Sequence, residues 1–377
     1  MNIGMIGYKF MGKAHTHAYH DVKLFFPETL APRRLIICGR DERGVSRAAT
    51  QLGWEQWSTD WNEVVTHPAI DLVDINTPSN AHKEIALAAL KNGKHVICEK
   101  PLAITLEDAR EMAEAAEQSG AKHMVCFNYR FVPAIRLAKK LLDEGRIGQV
   151  RQYRGWFLQD WLTDKDAPYV WRLDRSVAGS GAHGDLNAHA VDLARFLVGE
   201  FQEVSGMSRT FVTHRQPSAE EMDEAAFREV TVDDATSFLA CFENGAMGTF
   251  EASRVAGGRR CANGFEIYGS EGSIRFNFER MNELEVYDTG DDAGSQGFKT
   301  ILATESCHPY MHAWWPAGHG IGFEHTFIHA VLELLEAIKT DRPCSPNFTD
   351  GLRCQQVLDA VEKSIASRQW VRVESNL

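Results

Sequence analysis

The chain has 377 residues, 44% of them hydrophobic and 24% charged, and its 52 acidic against 40 basic side chains leave a formal net charge of −12. That length favours two domains over one core, the acidic balance argues against a nucleic-acid partner, whose phosphates select a basic face, and no run approaches the roughly 18 apolar residues of a membrane helix. The N-terminus enters a strand without the basic and apolar regions of a secretory signal, and the eight cysteines show no Cys-x-x-Cys pair, so the expectation is a cytoplasmic protein with reduced, buried thiols and no metal centre.

Apolar or β-branched runs at residues 3–6, 35–38, 72–76, 95–98 and 123–127 alternate with amphipathic segments such as 46–52 and 82–92. Strand and helix in steady alternation predict a doubly wound parallel sheet, an α/β Rossmann domain over residues 1–126. In such a sheet ligands bind at the carboxyl ends of the strands.

The first strand runs into Gly7-Tyr8-Lys9-Phe10-Met11-Gly12, which has the spacing of G-x-G-x-x-G with a lysine at the second glycine. Gly7 would make the tight turn, Gly12 would let the next helix pack closely, and Lys9 would offer its ammonium to a phosphate. A plain strand-to-helix turn is the alternative. At the end of the second strand stand Gly39 and Arg40, where NAD-binding folds place a carboxylate for the ribose hydroxyls. A guanidinium there suits a 2'-phosphate and favours NADP(H) over NAD(H). Arg40 as a solvated strand-end residue and Asp41 as the ribose acceptor are the competing accounts.

The fourth strand ends in Glu99-Lys100-Pro101. Pro101 biases Lys100 toward extended backbone, so its ammonium projects from the carboxyl edge of the sheet. The three histidines 15, 17 and 20 read as a surface of the first helix.

From residue 127 to 377 the pattern changes to a helix, 132–145, and strand-like runs at 150–158, 201–212, 236–242, 246–254, 265–269, 272–278 and 284–287. Turn signals such as Glu-Asn-Gly between them predict consecutive antiparallel strands in a large, open α+β sheet. Within this part, "GSGAHGDLNAHAVDLARF" places Asp185 and His189 four apart at the start of a helix, on one face. A carboxylate and an imidazole so placed suit adjacent hydroxyls of a polyol and a proton shuttle. A capping Asp with a core-facing His is the plainer alternative. Tyr129, Arg130, Gln159, Trp161, Trp171 and Arg172 are of the types that bind a sugar, flat aromatic faces with amide and guanidinium donors.

"GYKFMG", "NTPSNAH", "CEKP", "FNYRFVPA", "GRIGQV", "WRLDRSVAGSGAHGDLNAHAVDLARFLVGE" and "YGSEGSIRF" together resemble, nearly end to end, the Gfo/Idh/MocA family, named for glucose–fructose oxidoreductase, inositol dehydrogenase and a rhizopine catabolism protein. The resemblance implies an NAD(P)-dependent oxidoreductase acting on a glucoside, anhydrosugar or inositol at carbon 3. It implies catalytic roles for Lys100, Asp185 and His189, and cofactor contacts from Gly7, Lys9, Phe10, Met11, Gly12, Gly39, Arg40, Thr77, Pro78, His82, Glu99 and Lys100. A homodimer or homotetramer is the implied assembly, with no membrane partner. Two other functions share the motifs: a redox-neutral glycosidase that oxidises its sugar transiently, and a non-catalytic sugar or nucleotide sensor in which Lys9 blocks the cofactor.

Overall fold

The computed structural model describes residues 1–217 and 227–374. Two compact units divide the described residues: Met1–Phe131 with Ile321–Leu352, and Val132–Gly320 with residues 353–374. Residues 321–352, expected from sequence to belong to the C-terminal domain, thus pack with the N-terminal one.

In the first unit, strands β1 (Asn2–Ile6), β2 (Arg33–Cys38), β3 (Gln56–Ser58), β4 (Leu72–Ile75), β5 (His95–Cys98) and β6 (His123–Val125) form one parallel sheet in the order β3-β2-β1-β4-β5-β6. Helices α1 (Phe10–Phe25), α2 (Glu42–Leu52), α3 (Trp61–Thr66), α4 (His82–Lys91) and α5 (Leu106–Ser119) connect them. The order reverses between β1 and β4, which opens a crevice at the carboxyl ends of those strands. Their sequences are short apolar runs because helices cover both faces: Ile3, Met5, Val73 and Ile75 have no exposed surface.

In the second unit, α6 (Pro133–Asp143) precedes β7 (Val150–Leu158), and α7 (Arg175–Ala178) and α8 (Ala188–Leu197) precede β8 (Phe201–Arg209). A small two-stranded antiparallel sheet, β9 (His214–Arg215) with β10 (Arg228–Glu229), is separate from the main sheet. The remaining strands are β11 (Ala235–Phe242), β12 (Met247–Ser253), β13 (Ala262–Gly269), β14 (Gly272–Asn277), β15 (Glu283–Asp288), β16 (Lys299–Leu302) and β17 (Val371–Arg372). With β7 and β8 they form a nine-stranded sheet ordered β16-β15-β14-β13-β7-β12-β11-β8-β17.

The expectation of consecutive antiparallel strands holds for most of that sheet but not at its centre. There β7 inserts between β13 and β12 and runs parallel to β12. Alternation in β11 turns Phe238, Ala240 and Phe242 inward, and Phe238 stacks on Phe250 of β12 with centroids 4.4 Å apart. Two long helices close the chain: α9 (Phe323–Thr340), which the sequence reading did not identify, and α10 (Phe348–Ser367). Among the described residues no helix is long and apolar enough to cross a membrane.

Candidate active site

Each unit carries its own group of site residues, and the first is built on the turn after β1. Gly7 has φ +108°, and a Cβ there would lie 2.4 Å from the Asn76 carbonyl oxygen. A Cβ on Gly12 would lie 2.3 Å from the Gly7 carbonyl oxygen. Strand and helix are therefore pressed together as a dinucleotide turn requires, in spite of the exposed Lys9.

Helices α2 and α5 start on the side-chain caps Asp41 and Thr105. Helix α1 has no side-chain cap and no acidic residue in its first turn. Its first N–H groups and the positive end of its dipole form a donor set that fits a pyrophosphate. Gly7, Lys9, Phe10, Met11 and Gly12 would line it, with Phe10 exposed and stacked on Phe323 at 6.3 Å.

At the end of β2 the ring of Tyr8 covers Gly39. A Cβ at 39 would lie 2.2 Å from that ring, and one at Gly44 would lie 2.3 Å from the Tyr8 hydroxyl. Asp41 Oδ2 accepts the Gly44 N–H at 3.0 Å. Burial, followed by the Asp41 charge, pushes the Tyr8 phenol above its ordinary pKa. Arg40 is exposed. The side chains gathered where the ribose is expected are thus a tyrosine and a carboxylate.

At the end of β5, Glu99 Oε2 accepts the Lys100 backbone N–H at 3.2 Å, and the Lys100-Pro101 peptide is cis. Glu99 Oε1 lies 3.1 Å from His15 Nε2, and His15 Nδ1 lies 2.9 Å from Asp74 Oδ2. Cys126 Sγ lies 3.5 Å from the same Nε2. His15 is buried, not on the helix surface as expected; His17 and His20 are the exposed ones. Burial disfavours charge on His15, but Asp74 and Cys126 together act against it and hold the imidazole well above its usual pKa.

His15, Glu99 and Cys126 bring one donor atom each within 4.8 Å of one another. Burial raises the Cys126 thiol to about 12. The buried imidazole thus lies between the carboxyl groups of Asp74 and Glu99, with the Cys126 thiol beside it.

His82, expected at the cofactor, is buried and acts as a tie. Its ring nitrogens lie 3.1 Å from the Thr77 carbonyl and 3.0 Å from that of Pro101, so it joins the two strand-end turns that carry Pro78 and Lys100. Arg130, expected against the sugar, directs its guanidinium to Asp350 and Ser345, both at 3.3 Å, and Tyr129 beside it is buried.

The second group lies in the other unit, at the carboxyl end of the parallel pair β7/β12. Gln159 follows β7 and accepts the Trp161 indole N–H at 3.1 Å. Trp171 is stacked under the Arg172 guanidinium at 4.3 Å. Asp185 sits in a π-type turn, His183–Asn187, that runs into α8; such turns recur at functional sites because they re-aim side chains. Asp233 fixes the turn's entry by accepting the backbone N–H groups of Gly181 and His183 at 2.8 and 2.9 Å. Four residues on, the buried His189 packs its ring 5.8 Å from Phe157 of β7.

Sequence reasoning missed Arg254, which follows β12. Its Nη2 donates to Asp185 Oδ2 at 2.8 Å and its Nη1 to the Arg172 carbonyl at 3.2 Å. It also missed Arg215, a fully buried guanidinium donating to the carbonyls of Leu162, Asp164 and Ala167. Two signals were present for other members: Asp74 is a charge inside an apolar strand, and His15 shares the helical phase of buried Gly12, Tyr19 and Val22.

Comparison with known proteins gives these groups a context. The family described as an oxidoreductase family with an NAD-binding Rossmann fold matches residues 1–127, and the GFO/IDH/MocA C-terminal domain matches residues 135–275. Levoglucosan dehydrogenase of Pseudarthrobacter phenanthrenivorans is 42% identical over 383 residues, covering 99% of this chain and 98% of that protein. Levoglucosan dehydrogenase solved in complex with NADH and levoglucosan has a TM-score of 0.96 over 100% of both chains at 42% identity. An oxidoreductase domain protein from Kribbella flavida has a TM-score of 0.95 at 49% identity, covering 99% of each chain.

Proposed function

Because the chain belongs to the Gfo/Idh/MocA family of oxidoreductases, we propose that it is an NAD-dependent dehydrogenase that oxidises carbon 3 of a cyclic sugar, with an anhydrosugar of the levoglucosan type as its substrate. The observation that carries this reading is Asp185 in the turn that enters α8, bound to Arg254 whose guanidinium also lies against Trp161, with His189 four residues on packed against Phe157 of β7. A carboxylate acceptor, an imidazole and a partly exposed indole are groups that suit the vicinal hydroxyls and the C–H face of a pyranose ring.

The cofactor supplies a nicotinamide ring that accepts the hydride. The chain's own residues do the rest. Lys100 takes the hydroxyl proton, and Glu99 holds its backbone in place. Asp185 and His189 fix the neighbouring hydroxyls, so that the carbon carrying the leaving hydride is oriented before reaction. Gly7, Gly12 and the uncapped start of α1 hold the pyrophosphate, while Thr77 and Pro78 line the strand-end turn tied by His82.

The expectation of NADP(H) yields here to NAD(H). Asp41 already occupies the N-terminus of α2 with a carboxylate, Tyr8 covers Gly39, and Arg40 lies exposed. A 2'-phosphate brought to that strand end would meet like charge. Assembly as a homodimer or homotetramer belongs to the same proposal. Met207, Leu239 and Met247 leave an apolar patch on the outer face of the large sheet.

The deciding experiment is absorbance of NADH formed when purified protein meets NAD and levoglucosan, with glucosides and inositols in parallel and the product's oxidised carbon assigned by NMR. Formation of a 3-keto anhydrosugar is expected. Hydrolysis of a glycoside without accumulation of NADH would replace the dehydrogenase by the redox-neutral reaction.

A further inference from the structure

Arg254 has a fixed backbone and a side chain with almost no exposed surface. Its N–H donates to the Asp234 carbonyl at 2.9 Å, and its own carbonyl accepts the Leu162 N–H at 3.0 Å. Only 1% of the side chain is exposed. From that anchor the guanidinium reaches three residues on two segments. Nη2 donates to Asp185 Oδ2 at the π-type turn, Nη1 donates to the Arg172 carbonyl, and the guanidinium carbon lies 5.5 Å from the centre of the Trp161 ring.

The segment that Arg254 braces has little regular structure of its own. Residues 159–173 contain turns and one short 3-10 helix, Trp171–Leu173, between β7 and α7. Arg215 pins the middle of this loop through three carbonyls, and Leu162, Leu173, Val230 and Val232 form a small apolar cluster beneath it. Neither contact reaches Asp185. Arg254 ties the aromatic loop to the carboxylate.

We propose that Arg254 is a positioning residue of the sugar pocket: one guanidinium sets the spacing between the hydroxyl acceptor Asp185 and the Trp161 and Trp171 wall. The inference rests on the reading of Asp185 as a sugar ligand. An arginine suits the task because its planar fork serves two acceptors in different directions, whereas an ammonium is a point charge with no such fork. Arg254→Lys therefore separates the two contributions, keeping the charge beside Asp185 while giving up the simultaneous hold on the Arg172 carbonyl.

Wild type, Arg254→Lys, Arg254→Gln and Asp185→Asn are compared in levoglucosan oxidation with NAD, in NADH affinity and in hydrogen exchange of residues 159–173. The expected result for Arg254→Lys is a KM for levoglucosan raised about tenfold with kcat nearly unchanged. Arg254→Gln should raise it further, exchange in 159–173 should quicken in both, and NADH affinity should stay at the wild-type value. Wild-type KM and wild-type exchange in Arg254→Lys overturn the proposal.

Asp185→Asn isolates the underlying reading. If its KM is unchanged, Asp185 is not a sugar ligand and the positioning role falls with it. If its KM rises while both Arg254 variants match wild type, only the positioning role is lost. Should wild type leave levoglucosan untouched, the substrate assignment fails, and the exchange measurement alone decides whether Arg254 holds the loop.

Discussion

His15 Nε2 lies 3.1 Å from Glu99 Oε1, while its Nδ1 lies 2.9 Å from Asp74 Oδ2, so one buried ring bridges a carboxylate inside β4 and one just past the end of the neighbouring β5. Glu99 passes the constraint on by accepting the Lys100 N–H through its other oxygen. Burial works against the Glu99 charge, yet the His15 hydrogen bond and cation leave its pKa below the ordinary value. For the proton role proposed for Lys100, this network would hold the lysine's backbone in one geometry.

Replacing His15 by Gln removes the cation and leaves two buried carboxylates. A loss of about 3–5 kcal/mol in unfolding free energy is expected, measured by denaturant unfolding. Histidine in the unfolded chain titrates near 6.5, and the folded value is higher. The stabilisation is therefore complete below about pH 6.5 and is lost as pH rises through the folded pKa. The gap between wild type and His15→Gln should be widest near pH 6 and narrow on the alkaline side; a gap that widens there would contradict an imidazolium.

Lys100→Met should lower kcat by about 10²–10⁴-fold, the usual range for a lost general base, with NADH binding nearly as in wild type. Single-turnover absorbance and a fluorescence titration with NADH check the two halves separately. Near-normal turnover would remove Lys100 from the proton path.

Titration with NADH and NADPH tests the Tyr8 and Asp41 arrangement at the end of β2. NADH should bind at least about tenfold more tightly, because a 2'-phosphate would have to displace or face the capping carboxylate. Asp41→Ser keeps a cap for α2 while removing the charge, and should narrow the preference. Equal affinities in wild type would return the choice to Arg40.

Lys9 is exposed at the start of α1, where an ammonium adds to the helix dipole's attraction for phosphate. Lys9→Gly should weaken NADH binding by about two- to fivefold at low salt and less at high salt, as for a solvated charge. The chemical step should be unaffected. A dissociation constant that does not change at any ionic strength would place Lys9 outside the site.

Gly7, Gly12 and the Glu99-Lys100-Pro101 turn were legible in the sequence because each is set by its neighbours: a strand ends, a turn needs a given backbone, and a proline restricts what precedes it. The spacing of Asp185 and His189 is likewise local, but the structure puts Asp185 in the π-type turn ahead of α8 and His189 inside the helix, which a four-residue helical spacing does not anticipate. Partners far apart in the chain were not legible. Asp185 and Arg254 are 69 residues apart, His15 is 59 from Asp74 and 84 from Glu99, and the ring of Tyr8 finds Gly39 across a strand crossover.

The parallel insertion of β7 beside β12 is of the same kind, because turn signals fix where strands end and not which strands pair. So is the return of residues 321–352 to the first unit, whose helix α9 packs against α1. Local sequence determined the strand-end turns and the reactive groups they carry. Tertiary structure decided which charges face them, since a buried guanidinium or imidazolium is placed by the packing of distant segments and is stable only where that packing brings it a carboxylate.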